Sequence, residues 1–266
     1  TFEAISTFGP AQATADNRTT YPGTGLGHSL SAAAQIIRGD VGVEEITVST
    51  EVRLDADQGT PYFLWGFGNT AADGAGDGYL FATGTSYRAG IASGNWSTEQ
   101  VAGSGANLTR STWHTLTYTQ AGSTSRLFLD GDQVATSTTV TLTPGSIGDG
   151  STSRNAIGRS VYNADRLLKG TVRSFDVWDT ALSPEQVAAL APDAVVRVER
   201  DADALTLGDT TAVTRDLALP ARGGYGSPIT WSTSDAAVVT AAGVVTRPAD
   251  GGPDATATLT ATVGSG

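Results

Sequence analysis

Glu45-Ile46-Thr47-Val48-Ser49-Thr50-Glu51-Val52-Arg53-Leu54 decides how this chain is read. Ile46, Val48, Val52 and Leu54 fall on one face, and Thr47, Ser49, Glu51 and Arg53 on the other. A period of two held over this length marks a half-buried strand; a helix would repeat its apolar residues every three to four positions. The next segments repeat the signal. Tyr62 to Gly68, Tyr79 to Ala82, Tyr87 to Ile91 and Thr112 to Thr119 read as strands, separated by Gly- and Asp-rich turns. Ser125 to Leu129 and Gln133 to Thr136 flank Asp130-Gly131, a pair suited to a two-residue hairpin turn with left-handed backbone. Asn155 to Gly158 and Thr171 to Trp178 are later strands. One short helix is expected after them: Ser183 as N-cap, Pro184 in the first helical position and Gln186 closing a capping box.

Composition agrees with a chain of strands and turns. Of 266 residues, 33 are glycine, 39% are hydrophobic and 16% charged. The 27 acidic residues outnumber the 16 basic ones, giving a net charge of −11. Such a chain repels phosphate backbones, so nucleic-acid binding is not expected. No apolar run reaches the ~20 residues of a membrane-spanning helix, and no lipid-anchor motif is present. With no cysteine there is no disulfide, thiolate metal site or cysteine nucleophile. The absence of methionine reads as a processed or excised chain. Together with the Thr, Ser and Gly content, it suggests a secreted bacterial product whose signal segment is gone.

Pro192-Asp193 marks a change of texture. Beyond it the aromatics thin out to Tyr225 and Trp231, and short Val/Thr segments take over. They fall at 204–207, 216–219, 228–232, 238–239, 244–246 and 255–263. Regular short strands over this span predict a small sandwich. The expected organisation is therefore two β-rich domains, 1–191 and 194–266.

Two stretches of the first domain carry a resemblance. Ser125 to Ser137 resembles the strand–turn–strand of laminin-G-like, concanavalin A-like jelly rolls. Asn155 to Ser160, followed by Lys169-Gly170-Thr171-Val172-Arg173-Ser174-Phe175-Asp176-Val177-Trp178 and Ala181-Leu182-Ser183, resembles the closing strands of that family. The resemblance implies an all-β jelly-roll sandwich. It also implies a structural calcium ion in many relatives. Arg173 and Ser174 stand where those relatives carry an acidic pair, and calcium needs oxygen ligands and negative charge, so that ion is in question here. Ile229 to Asp235, Val238-Val239 and Gly243 to Pro248 resemble a degenerate bacterial immunoglobulin-like domain. This pairing accompanies secreted glycoside hydrolases acting on arabinose-containing plant polymers and on fructans.

The candidate chemistry is that of binding. A catalytic sandwich would place two carboxylates on one strand face. Glu44-Glu45 is the only adjacent glutamate pair, and neighbouring strand residues face opposite ways. His114 sits on a strand with no nucleophile elbow nearby, and reads as a hydrogen-bonded strand residue; His28 reads as a surface group in a Gly-rich loop. Asp73 and Asp77, within Asp73-Gly74-Ala75-Gly76-Asp77-Gly78, are the weak metal candidates, with a plain turn as the simpler reading. Sugar recognition needs an exposed aromatic platform and planar hydrogen-bonding groups. Trp96, among Ser93, Gly94, Asn95 and Ser97, fits the first need. The loop Arg159-Ser160-Val161-Tyr162-Asn163-Ala164-Asp165-Arg166 offers the second through Arg159, Tyr162, Asn163, Asp165 and Arg166. Tyr79 and Tyr87, which bracket the Gly-rich loop, are weaker aromatic candidates.

The sequence therefore predicts a non-catalytic, polysaccharide-targeting region of a secreted glycoside hydrolase. Its expected partners are an oligosaccharide or polysaccharide and an attached catalytic domain, with arabinan, arabinoxylan or fructan as the expected glycan. A second reading stays open: a structural module that packs on a catalytic domain and binds no sugar.

Overall fold

In a computed structural model, residues 44–150 and 152–264 are described, together with the backbone of four short strands nearer the N-terminus. His28 lies outside the described residues. The chain divides into two compact units, Thr1–Ala191 and Pro192–Gly266.

The first unit is built from antiparallel sheets. Strands β1 (Ile5–Phe8), β2 (Gln12–Ala13), β3 (Arg18–Thr20) and β4 (Gly23–Leu26) precede the long β5 (Glu45–Leu54). Then come β6 (Phe63–Thr70), β7 (Gly76–Thr83), β8 (Arg88–Ala92) and β9 (Gln100–Gly103). They are followed by β10 (Trp113–Ala121), β11 (Thr124–Leu129), β12 (Asp132–Ser137), β13 (Arg154–Ile157) and β14 (Gly170–Trp178). A seven-stranded sheet runs β12-β11-β10-β5-β14-β3-β2, and a five-stranded sheet runs β13-β6-β7-β8-β9. Strand β5 lies between β10 and β14, with Tyr118 opposite Val48 and Val177 opposite the same residue.

The apolar face of β5 enters the main core as the alternation requires. Ile46, Val48, Val52 and Leu54 pack with Trp65, Phe67, Leu80, Ile91, Leu116, Tyr118 and Phe175. Each large side chain fully buried there contributes about 1.5–3 kcal/mol. The opposite face departs from the half-exposed expectation, because Thr47, Ser49 and Glu51 are buried as well. Their polar atoms have partners. The Thr47 hydroxyl donates to the Thr180 carbonyl at 2.8 Å, Ser49 and Thr117 share a hydroxyl bond at 2.9 Å, and Glu51 pairs with Arg173 at 3.1 Å. Burial without partners would be costly; with them the strand can be covered on both sides.

The hairpin and the helix form where the sequence placed them. Asp130 and Gly131 join β11 to β12 with φ of +54° and +93°. Helix α1 (Pro184–Ala188) starts with Ser183 accepting from the Gln186 N–H, and the Gln186 side chain reaches back to the Ser183 N–H.

The second unit contains a helix the sequence reading had not assigned, α2 (Ala194–Asp203), capped by Asp193, whose carboxylate accepts from the Val196 N–H at 2.9 Å. Among its described residues, regular strand pairing is confined to β15 (Ile229–Thr233) and β16 (Leu259–Val263), with single bridges Val239 to Val245 and Arg222 to Pro228. The other expected strand segments of this unit lie in irregular chain. Asp201, buried in α2, accepts from the backbone N–H groups of Tyr225 and Ser227 at 2.8 and 3.1 Å. That ties the helix to the turn before β15.

Candidate functional site

The outer face of the five-stranded sheet carries the candidate site. Strand parity sends Leu80, Ala82, Ala89 and Ile91 to the main core. Tyr79, Phe81, Phe63 and Ala92 point the other way and form a second apolar cluster. This cluster needs a cover, and the chain supplies it. The loop after β13 crosses the sheet with Val161 buried in the cluster and Tyr162 packed at its edge. Two glycines make room for it. A Cβ at Gly66 would sit 3.0 Å from the Arg159 carbonyl, and one at Gly76 would sit 2.6 Å from the Tyr162 ring. The Asn163 N–H then donates to the Gly74 carbonyl at 2.9 Å, closing the loop onto the turn before β7.

At this edge the hydrogen bonds converge. The Tyr79 hydroxyl donates to Glu99 Oε1 at 2.6 Å and lies 3.3 Å from the Tyr162 hydroxyl. The two rings meet edge to face with centroids 5.7 Å apart. The Tyr162 hydroxyl accepts the backbone N–H of Trp96 at 2.8 Å. Glu99 Oε2 accepts from Arg88 at 2.8 Å, and the Arg88 guanidinium lies over the Phe81 ring at 4.8 Å from its centroid. Burial, and then the bond to Glu99, push the Tyr79 hydroxyl far above the usual tyrosine range. It therefore remains a proton donor at any physiological pH.

Trp96 stands on this framework. It opens a single 3-10 turn, Trp96–Thr98, capped by Asn95, whose side chain accepts from the Ser97 N–H at 3.0 Å. Its side chain is left 71% exposed, the most exposed of the large apolar residues described. A large indole fixed at its backbone and open at its ring is a surface on which the apolar face of a sugar can stack. The Tyr162 hydroxyl and the partly exposed Arg88–Glu99 pair beside it can meet sugar hydroxyls.

The structure brings together Trp96 and Tyr162, which are 66 residues apart in the chain. Asn163, next to Tyr162 in the chain, accepts from Arg154 Nη1 through its Oδ1 at 2.5 Å. Arg159 is exposed on the same loop. Asp165 is turned inward to accept from Ser160 at 2.5 Å. Arg166 lies elsewhere, packed against Gly59. Tyr87 requires a correction: it is 2% exposed, a core residue. Its hydroxyl donates to the Phe128 carbonyl at 2.6 Å, so its ring cannot meet a ligand. Tyr79 is fully buried too and acts only through its hydroxyl. Arg88 and Glu99 were missed by sequence reasoning, since an Arg at a strand start and a Glu after a turn look like ordinary surface residues.

The metal candidates do not assemble. Asp73 accepts the Ala75 N–H at 2.9 Å within its own turn. Among the described residues no group of three or more histidines or acids, Asp73 and Asp77 included, could hold a metal ion. At the position of the family's acidic pair, Arg173 bonds Glu51 and lies over the Trp113 ring at 4.0 Å. His114 is held on both nitrogens, by Asp130 at 2.8 Å and Thr109 at 2.5 Å.

A two-sheet antiparallel sandwich with an aromatic and polar patch on one outer face has the architecture of a lectin-like domain. The chain belongs to the concanavalin A-like lectin/glucanases superfamily, whose profile matches residues 28–188. The profile of an atrophied bacterial Ig domain matches residues 198–266, in keeping with the sparse strand pairing there. No curated protein matches the sequence significantly. Among solved structures, the CBM40 of Ruminococcus gnavus IT-sialidase bound to α2,3-sialyllactose is similar. It shows 14% identity, covering 72% of this chain and 99% of that one, with a TM-score of 0.53. The same module without ligand gives 13% identity, 73% and 100% coverage and a TM-score of 0.53. Domain 4 of the extracellular arabinanase AbnA from Geobacillus stearothermophilus, in complex with arabinotriose, gives 15% identity, 71% and 82% coverage and a TM-score of 0.48. No described helix is long and apolar enough to cross a membrane.

Proposed function

We propose that the first unit is a non-catalytic carbohydrate-binding module, and that the second is an immunoglobulin-like spacer carrying it in a secreted glycoside hydrolase. One observation carries the reading: the exposed Trp96 indole is anchored through its backbone to Tyr162, beside the Tyr79–Glu99–Arg88 network. The likeness to the sialidase CBM40, whose structure holds a bound oligosaccharide, supports it. The mechanism is targeting. A module that holds the glycan raises the effective concentration of an attached catalytic domain at its substrate, even when the single-site Kd is only micromolar to millimolar.

The test is calorimetry and polysaccharide retention with Trp96→Ala. The glycan panel spans arabinan, arabinoxylan and fructan, which the domain pairing suggests, and acidic glycans. Removing an aromatic platform worth about 1.5–3 kcal/mol should weaken binding roughly 10- to 100-fold while far-UV circular dichroism stays unchanged. Retention equal to the parent chain would remove Trp96 from the site. If no glycan binds the parent chain, a packing role on a neighbouring domain replaces the binding role.

A further inference from the structure

We infer that Arg154 and Arg159 form a carboxylate-binding subsite beside the Trp96–Tyr162 platform, so that the glycan held there carries an acidic sugar. This rests on the sugar-binding reading and narrows it to a ligand class.

The placement comes from strand register. Arg154 lies opposite Gly68, and Gly68 opposite Tyr79, so Arg154 and Tyr79 occupy one cross-strand row two strands apart. At about 4.8 Å per strand this is a separation of roughly one sugar ring and its substituents. The loop that carries Tyr162 also carries Arg159, exposed, with its carbonyl over Gly66. Trp96 is thus linked to Tyr162, and the neighbouring Asn163 to Arg154, across the outer face of the sheet, with the charge of Arg159 close to Arg154.

The chemistry comes from what these guanidiniums lack. Arg88 and Arg173 each face a carboxylate within 3.1 Å. Exposed arginines such as Arg166 and Arg222 do without one in water, whereas Arg154 is partly buried and lies near a second guanidinium, that of Arg159. Arg154 meets only neutral acceptors, the Thr70 hydroxyl at 2.9 Å and the Asn163 amide oxygen at 2.5 Å. Neither it nor Arg159 has an acidic partner among the described residues. The partial burial of Arg154, and then the nearby charge of Arg159, both disfavour its charged form. A chain with 27 acidic residues has placed none of those described against this pair. An anionic ligand would relieve both unfavourable effects. Both bonds of Arg154 use Nη1, which leaves Nε and Nη2 as the parallel donors that a carboxylate accepts side by side. Asn163 and Arg154 brace each other, so the fork is oriented before any ligand arrives. The overall charge of −11 does not oppose this. Fields beyond about 8 Å are screened at physiological ionic strength, and a single sugar carboxylate senses the local pair.

The experiment is isothermal calorimetry on the full chain with three probes: α2,3-sialyllactose, trigalacturonate and neutral arabinotriose. Arg159→Glu reverses an exposed charge, and Arg154→Lys keeps the charge but removes the planar fork. The parent chain should prefer one or both acidic probes to arabinotriose. Arg159→Glu should lower the acidic-to-neutral affinity ratio at least 10-fold, and Arg154→Lys should lower it by a smaller factor. Raising NaCl from about 50 to 500 mM should weaken acidic binding alone. Preference for sialyllactose identifies a sialic acid as the source of the carboxylate, and preference for trigalacturonate a uronic acid. Arabinotriose bound as tightly as the acidic probes, with a ratio untouched by Arg159→Glu, overturns the subsite and leaves the aromatic platform standing. Failure of all three probes with the parent chain overturns the subsite together with the platform.

Discussion

Tyr87 has a ring and a hydroxyl, as a sugar-binding tyrosine does, yet strand parity assigns it to the core. Arg88 points to the outer face of the sheet, so Tyr87 before it points inward, where burial pushes its hydroxyl well above the usual tyrosine range. Its one strong partner is the Phe128 carbonyl at 2.6 Å. Tyr87→Phe should therefore destabilise the unit by about 1 kcal/mol. A lower urea midpoint with an unchanged slope would show it, and glycan retention should not move. A loss of retention with stability intact would return the ring to the binding surface. Trp96 teaches the converse. Its polar neighbours in sequence already marked it as a surface indole, and the structure leaves it open. What those neighbours could not reveal is the partner. Tyr162 reaches Trp96 only because two strands and a covering loop bring them together, and no local pattern encodes such a meeting. Arg88 and Glu99 stayed hidden for the same reason: their meaning lies in Tyr79, on the adjacent strand.

At the scale of elements, legibility followed how local the determining chemistry is. The β11–β12 hairpin and α1 were readable because turn and cap are each specified within four residues. Helix α2 was not read. Its opening Ala194-Val195-Val196-Arg197-Val198 is rich in β-branched residues, which favour strands, and its stability comes from contacts such as buried Asp201. The Asp193 cap was the signal that could have found it. The same locality makes the hairpin testable. Gly131 has φ of +93°, and a Cβ there would meet the Ala188 Cα at 3.2 Å. Left-handed backbone costs an L-residue roughly 1–2 kcal/mol, and the contact with α1 adds to it. Gly131→Ala should lower the thermal midpoint of the first unit by several degrees. Asp130→Asn, at φ of +54°, should lower it less, since Asn tolerates this region. Equal effects from the two would mean that the Asp130 carboxylate, through its bonds to His114 and the Thr115 N–H, holds the hairpin as strongly as turn geometry does.

At the scale of the whole molecule, the two units differ in kind. The first closes a large aromatic core between two sheets, while the described residues of the second contain one short strand pair, two bridges and a helix held by a buried carboxylate. Units with separate cores unfold as separate cooperative transitions, so calorimetry of the chain should resolve two endotherms. If the binding surface lies wholly on the first unit, ligand linkage must act on that transition alone. At a free ligand concentration near 100 times Kd, the stabilisation is about 2.7 kcal/mol, and for a domain of this size that amounts to roughly 5–10 °C. Only the endotherm that persists in a chain ending at Ala191 should move. The second should stay within error, because nothing in a spacer is differentially bound. A glycan that shifts both endotherms together would show that the units unfold as one body. A shift confined to the second would place the binding surface on the immunoglobulin-like unit and leave Trp96 without a role.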